Sequence, residues 1–253
     1  MRSRLRKLGE WGWPAAGVLA FLLLWAGLAG HYPPVILPGP AEVLRRFPDL
    51  WKEGYLRHLW ITAAEAGGGF LLGLLSAAPL GTILARRQWL ERLVAPYVAG
   101  AQAVPIVALA PLLILWFGTG LWPKVIVAAL VAFFPILVNV IVGFKAVDPR
   151  LRELFIIMGA DPWQRWWKLE VPAALPVIFA GMRVGLTLSV IGAVVGEFAG
   201  ADRGLGFLVN WAKGLFDTPL MFLAIGLLAG IGISFYLFLI LCERLLMPWR
   251  QKE

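Results

Sequence analysis

The chain has 253 residues, 60% of them hydrophobic and 15% charged, with 23 lysines and arginines against 15 acidic residues and a formal net charge of +8. A mean hydropathy of +0.79 excludes an ordinary soluble domain, which would aggregate at this apolar content, and describes a chain that lives in lipid. The lone Cys242 excludes a disulfide framework or a multi-cysteine metal site within one chain, and His31 and His58 make a histidine-built site a poor expectation.

Largely uncharged stretches of about 20 residues, enough to cross roughly 30 Å of hydrocarbon, predict six transmembrane helices near 13–30, 60–85, 95–117, 124–144, 173–197 and 218–242. Each run is continuous rather than alternating, which predicts helices and not a barrel, because a helix satisfies its own backbone hydrogen bonds in lipid. The first run follows the basic Met1–Lys7 but is too long for a signal sequence and lacks a small-x-small cleavage site, so it reads as an uncleaved span. With the amino terminus inside, the inner segments hold about 15 cations, Arg2, Arg4, Arg6, Lys7, Arg250 and Lys252 among them, and the outer ones about seven, including Lys124 and Arg203. Both termini are therefore expected in the cytoplasm, and the positive charge is a topology signal rather than a nucleic-acid surface.

Between the first two spans, Tyr32-Pro33-Pro34 and Leu37-Pro38-Gly39-Pro40 forbid a helix. From Ala41 onward Val43, Leu44, Phe47, Leu50 and Trp51 recur at helical spacing, with Glu42, Arg45, Arg46, Asp49 and Lys52 on the other face. This predicts an amphipathic helix at the outer interface, kinked or divided by Pro48, which either packs on the bundle or offers a docking surface. The second span carries Glu65, and an ionisable group in lipid by default signals function or a partner. Pro105, Pro111 and Pro135 allow local bends in the third and fourth spans.

From Arg152 to Pro172 a polar, helix-prone island separates the fourth and fifth spans, longer than a simple connection requires. Asp161-Pro162 reads as a helix start, since aspartate accepts from the first free N–H groups and proline at the first position gives up a donor that had no partner. That short helix is expected to run from about Pro162 to Leu169 and to stop at Val171-Pro172. Trp163, Trp166 and Trp167 with Leu169, flanked by Arg165 and Lys168, have the composition of a protein-interface anchor. The alternative is tryptophan at the membrane interface.

The fifth span carries Gly181, Gly185, Ser189, Gly192, Gly196 and Gly200 at intervals of three or four, a stripe that lets helices approach closely. Gly69 with Gly73 and Gly226 with Gly230 are expected only to pack helices within the subunit. Arg183 lies roughly three turns into the fifth span and Glu197 at its outer end; pairing between helices is the plain reading of Arg183, substrate sensing or a gate latch the functional one. Gly200, Gly204 and Gly206, followed by Phe207, Leu208, Trp211 and Leu215, predict a glycine turn and a short interfacial helix. The chain contains no Gly-x-x-x-x-Gly-Lys-Ser/Thr loop and cannot hydrolyse ATP by that chemistry.

The island resembles the signature of permease subunits of bacterial ATP-binding-cassette (ABC) importers, a Glu-Ala-Ala, three residues, Gly, nine residues, Ile-x-Leu-Pro pattern that marks the loop docking on the ATPase. Glu153, Gly159 and Pro172 match at the same spacing, while Leu154 and Phe155 replace the alanines, Leu169 the isoleucine and Val171 the leucine. Leu37 to Leu44, Val104-Pro105 with Leu109 to Gly118, Phe133 to Ile136, and Val147-Asp148-Pro149 are similar to the nitrate, sulfonate and taurine branch, which also includes permeases for riboflavin and for the pyrimidine precursor of thiamine.

The resemblance implies an all-α polytopic membrane protein with the type I importer fold, a single permease domain over 1–253, in the bacterial inner membrane. It implies a homodimer with two cytoplasmic ATPase subunits and an extracytoplasmic substrate-binding protein. No catalytic residue, metal or cofactor is expected in the chain, ATP and Mg being held by the ATPase. The ATPase-coupling residues would be Glu153, Gly159, Ala160, Asp161, Pro162, Trp163, Arg165, Trp166, Leu169 and Pro172. The family's fifth span lies near the dimer axis, so Gly181, Arg183, Gly185, Ser189, Gly192, Gly196 and Glu197, with Glu65, would belong to the pathway or dimer face, packing within one subunit being the alternative for the stripe. The cargo would be a small organic molecule or nitrate. The rival reading is an ion-gradient-driven secondary transporter, against which stand the few intramembrane carboxylates and the lack of an evident inverted repeat.

Overall fold

Helix is the only regular structure among the described residues of the computed structural model, which are 2–249, with side chains from Ala16 onward. In chain order the elements are α1 Arg2–Ala29, α2 Pro40–Arg45, α3 Asp49–Lys52, α4 Leu56–Arg86, α5 Gln88–Ala103, α6 Ile106–Phe117, α7 Leu121–Lys145, α8 Pro149–Ile157, α9 Pro162–Arg165, a π turn Trp166–Glu170, α10 Val171–Gly200, α11 Leu205–Gly214 and α12 Thr218–Leu246. Of the cations assigned to the inner face, Arg250 and Lys252 lie outside the described residues, as do the side chains of Arg2, Arg4, Arg6 and Lys7.

Among the described residues four rods are long and apolar enough to cross a membrane: α4, α7, α12 and the continuous helical stretch Pro162–Gly200 that contains α10. The first expected span falls in α1, whose apolar run with described side chains is Ala16–Ala29. The third, expected near 95–117, is a correction: α5 and α6 meet at 88°. Pro105 has no N–H to continue the ladder and holds Val104 extended (φ −74°, ψ 121°), so the chain turns there. Pro48 likewise divides the amphipathic segment as its sequence predicts, leaving α2 and α3 on either side.

The chain forms two compact units. One comprises residues up to Arg57 with Leu208–Leu227. Within it Trp25 donates from Nε1 to the Pro38 carbonyl (3.0 Å) and stacks on Phe222, while Arg46 pairs with both Asp49 and Asp217. Burial works against the Arg46 charge, but its two carboxylates outweigh burial and raise its pKa above the ordinary guanidinium value.

The other unit, His58–Phe207 with the chain from Leu228, is built on a seam of small residues where α7 packs parallel to α4 and antiparallel to α10. A Cβ added to Gly81 of α4 would stand 2.7 Å from Val140 of α7, and one on Gly192 of α10 would stand 2.6 Å from the Ala128 Cα. Gly69 and Gly73 pack on α7 in the same way. The fifth-span stripe is spent here: Gly181, Gly185, Gly192 and Gly196 all lie against α7 of the same chain, Gly200 touches Ile114 of α6, and Ser189 is fully buried. Those glycines have a partner helix of the same chain in contact with them, which is the packing alternative for the stripe beside the pathway or dimer face. Gly226 and Gly230 of α12 differ from the expectation of plain packing: among the described residues outside their own helix backbone, nothing lies within 4 Å of where a Cβ would stand.

A contrast of two substitutions checks the seam. Gly192→Leu is expected to cost roughly 1–3 kcal/mol or more by overpacking, read as a lower unfolding temperature in detergent. Gly226→Leu should stay within about 0.5 kcal/mol of the parent. Equal stability of the two variants would contradict the assignment.

Candidate coupling surface and buried charge cluster

The segment between α7 and α10 is held by local hydrogen bonds rather than by bulk packing. Asp148 accepts the Arg150 N–H (2.8 Å) with Pro149 at the first helical position, which starts α8. Gly159 ends it at φ +74°, a left-handed conformation that glycine adopts without the Cβ penalty. Asp161 then caps α9 reciprocally, accepting the Gln164 N–H at 2.8 Å while its own N–H donates to Gln164 Oε1 at 3.4 Å.

On this frame Ile157, Met158 and Trp163 are 83%, 73% and 65% exposed, an apolar face on a polar segment. Glu153, Gly159, Asp161 and Pro162 are exposed beside it, and Ala160 and Arg165 are half-buried. The three tryptophans divide their roles. Trp163 and Trp167 face outward, whereas Trp166 is half-buried against the core, with its ring 4.7 Å from that of Trp167 and the Arg86 guanidinium 5.8 Å above it. Leu169 is buried.

The expected stop at Val171-Pro172 does not occur. The Val171 N–H reaches back to the Trp166 carbonyl, the five-residue interval of a π turn, and Pro172 falls in the first turn of α10. There a missing proline donor costs little, so the helix runs on. Trp163 of the exposed face and the fifth span therefore belong to one helical path of 39 residues, Pro162–Gly200, while Ile157 and Met158 close the preceding helix.

At the opposite ends of α4 and α10 lies a cluster of buried charge. Lys124 Nζ pairs with Glu65 Oε1 at 3.1 Å, and the two residues are 4% and 1% exposed. Glu197, also buried, accepts the Thr62 hydroxyl and the Gly206 N–H; Thr62 in turn accepts the Leu205 N–H at 2.8 Å, and the Gly204 N–H donates to His58 Nδ1 at 3.0 Å. The glycine turn predicted after the fifth span thus folds over the Glu197 carboxylate, with Gly204 at φ +110° where a Cβ would collide with it. A cavity of about 350 Å³ lined by Glu65, Lys124, Thr119, Asp202 and Arg203 adjoins the pair. Arg183 pairs with Glu243 of α12 at 3.2 Å. Glu65 and Glu197 are both bonded to side chains or backbone of this chain in this arrangement.

Lys124, Thr62 and His58 were missing from the sequence-level site. Lys124 reads as an outer-loop cation when the span is started at residue 124. Gly120 and Pro123, a helix start with proline in its first turn, are the signal that places α7 from Leu121 and Lys124 inside it.

The fold has likenesses among solved ABC transporters. A chain of the MetNI methionine ABC transporter, solved in inward-facing conformations, matches with a TM-score of 0.66 at 22% identity, covering 78% of this chain and 97% of that one. The fold is thus that of the membrane-spanning part of an ABC importer. Residues 69–247 match the family described as binding-protein-dependent transport system inner membrane component, and the chain belongs to that family. Among its relatives, the riboflavin transport system permease protein RibX of Chloroflexus aurantiacus is 47% identical, the match covering 97% of this chain and 94% of that one. The formylaminopyrimidine transport permease protein ThiX of Halalkalibacterium halodurans is 36% identical, with 95% and 96% covered.

Proposed function

We propose that this permease works as a homodimer, with two ATPase subunits docked on residues 153–169 and an extracytoplasmic protein delivering a small heterocyclic solute of the riboflavin or aminopyrimidine type. The observation that carries the docking assignment is the exposed face of Ile157, Met158 and Trp163, the last of them on a capped turn that runs on into a membrane-crossing helix. Such a face needs a partner to cover it. ATP and Mg belong to the ATPase, and the permease contributes motion rather than chemistry. The heterocycle rests on the 47% identity to RibX over nearly the whole chain. Among the charged groups expected along the pathway, Arg183 keeps 26% of its side chain exposed, so the reading gives it the pathway face and leaves Glu65 and Glu197 to the frame.

Gentle affinity purification from the native membrane, with mass spectrometry of what stays bound, tests the assembly. An ATPase with a phosphate-binding loop, recovered at about one copy per permease, is the expected result. Recovery of the chain alone from several mild detergents, with uptake that ignores ATP but collapses with an ion gradient, would overturn it. The solute is tested by binding riboflavin and aminopyrimidines to the co-purified extracytoplasmic protein; failure of both would remove the heterocycle and leave the assembly standing.

A further inference from the structure

Glu170, the last residue of the π turn, is where three helix ends meet. Its Oε2 takes Arg86, the terminal residue of α4, at 3.1 Å, and its Oε1 takes Arg152 of α8 at 3.4 Å. Arg152 also donates from Nη2 to the Phe144 carbonyl at 2.8 Å, in the last turn of α7. Arg86 closes the figure by standing over Trp166, the first residue of the same turn. One carboxylate, with 18% of its side chain exposed, thereby ties the turn to α4 directly and to α7 through Arg152. Glu170 occupies the position that the docking pattern leaves unspecified, between Leu169 and Val171.

We propose that Glu170 is a positioning residue that makes α4 and α7 follow the coupling segment, so that a displacement of α9 moves three spans together rather than α10 alone. The inference rests on the reading that an ATPase docks on residues 153–169. A π turn holds one residue more than an α turn and is a place where a helix can yield. A push on α9 would be absorbed there unless the turn were fastened to its neighbours. A charge-assisted hydrogen bond from Arg86 and an ion pair with Arg152, both on one carboxylate, supply that fastening. The core contacts of Trp166 set the turn's depth, but a ring stack can slide where an ion pair cannot, so the carboxylate carries the lateral load.

The test uses the intact complex of permease and ATPase, with spin labels on exposed positions at Arg87→Cys and Ala173→Cys in a Cys242→Ser background. The distance between them is read by pulsed electron resonance without nucleotide and under ATP turnover. In the parent the distance is expected to stay unchanged by ATP. In Glu170→Gln it should shift and broaden under ATP, while the amount of ATPase bound per permease stays at the parental level. Arg86→Gln, which removes the same contact from the other side, should reproduce the shift and serves if Glu170→Gln fails to accumulate. Glu170→Asp should restore the parental behaviour in part.

An ATP-independent distance in both Gln variants would overturn the proposal, as would an ATP-driven shift already present in the parent. Loss of the ATPase from Glu170→Gln, with the parent still binding it, would make Glu170 a docking residue and overturn the joint. A parent complex that binds no ATPase would instead refute the docking reading, and the joint with it.

Discussion

Trp163→Lys and Gly159→Asp are each expected to abolish uptake while the chain still reaches the membrane in normal amount. Trp163 is 65% exposed, so lysine there removes little of the fold's own packing. At a partner surface, losing a central tryptophan costs on the order of 2 kcal/mol or more, and burying an unpaired ammonium in its place adds desolvation. Gly159 stands at φ +74° with no atom within 4 Å of where a Cβ would go. Aspartate meets no clash, and the backbone strain is roughly 1–2 kcal/mol, too small to unfold the chain. The carboxylate would instead protrude beside Met158 on the exposed face. Uptake assays paired with immunoblots of the membrane fraction and with ATPase recovery separate docking from folding. Normal uptake in either variant would remove the coupling assignment.

Lys124→Ala is expected to destabilise the bundle itself. It strands the Glu65 carboxylate at 1% exposure, where Oε2 already lacks a hydrogen-bond donor in the structure. Removing one partner of a buried ion pair costs roughly 3–5 kcal/mol, a large share of the roughly 5–15 kcal/mol that holds a typical domain together. Substituting both members by apolar residues, Lys124→Met with Glu65→Leu, should recover most of that loss, since apolar replacement of a whole buried pair is often neutral. Thermal unfolding in detergent, followed by tryptophan fluorescence, reads both variants. A single variant as stable as the parent, together with impaired uptake, would return the pair to the transport pathway.

Local chemistry was the legible part of this protein. Asp161-Pro162 and Pro48 act through bonds a few residues away, and both organise the chain as their residue types predict. The transmembrane runs were legible as runs, but hydropathy counts residues without giving direction, so the 88° bend at Pro105 left no mark on the apolar profile. A stripe of small residues states that something approaches closely and is silent on what. Only three-dimensional packing reveals that α7 fills the groove made by Gly181, Gly185 and Gly192. The π turn was invisible for a different reason. It differs from an α turn by one residue and has no compositional signature, so Val171-Pro172 looked like an end when the wider turn had already placed the proline where it does no harm.

Where α4 and α10 lie on α7, glycines meet the α7 backbone and the side chains of Ile136, Asn139 and Val140 with no room for an added methyl. Helices interlocked this closely resist sliding, because a shift along the axis would drive those side chains into backbone. The three rods therefore form a keel: a stiff plank that can tilt but not shear. Whatever opening and closing the permease undergoes must be borne at its edges, at the Val104-Pro105 corner and the wide turn beside Trp166. Those two places, rather than the densest part of the molecule, are where variation between related permeases would retune the speed of the cycle.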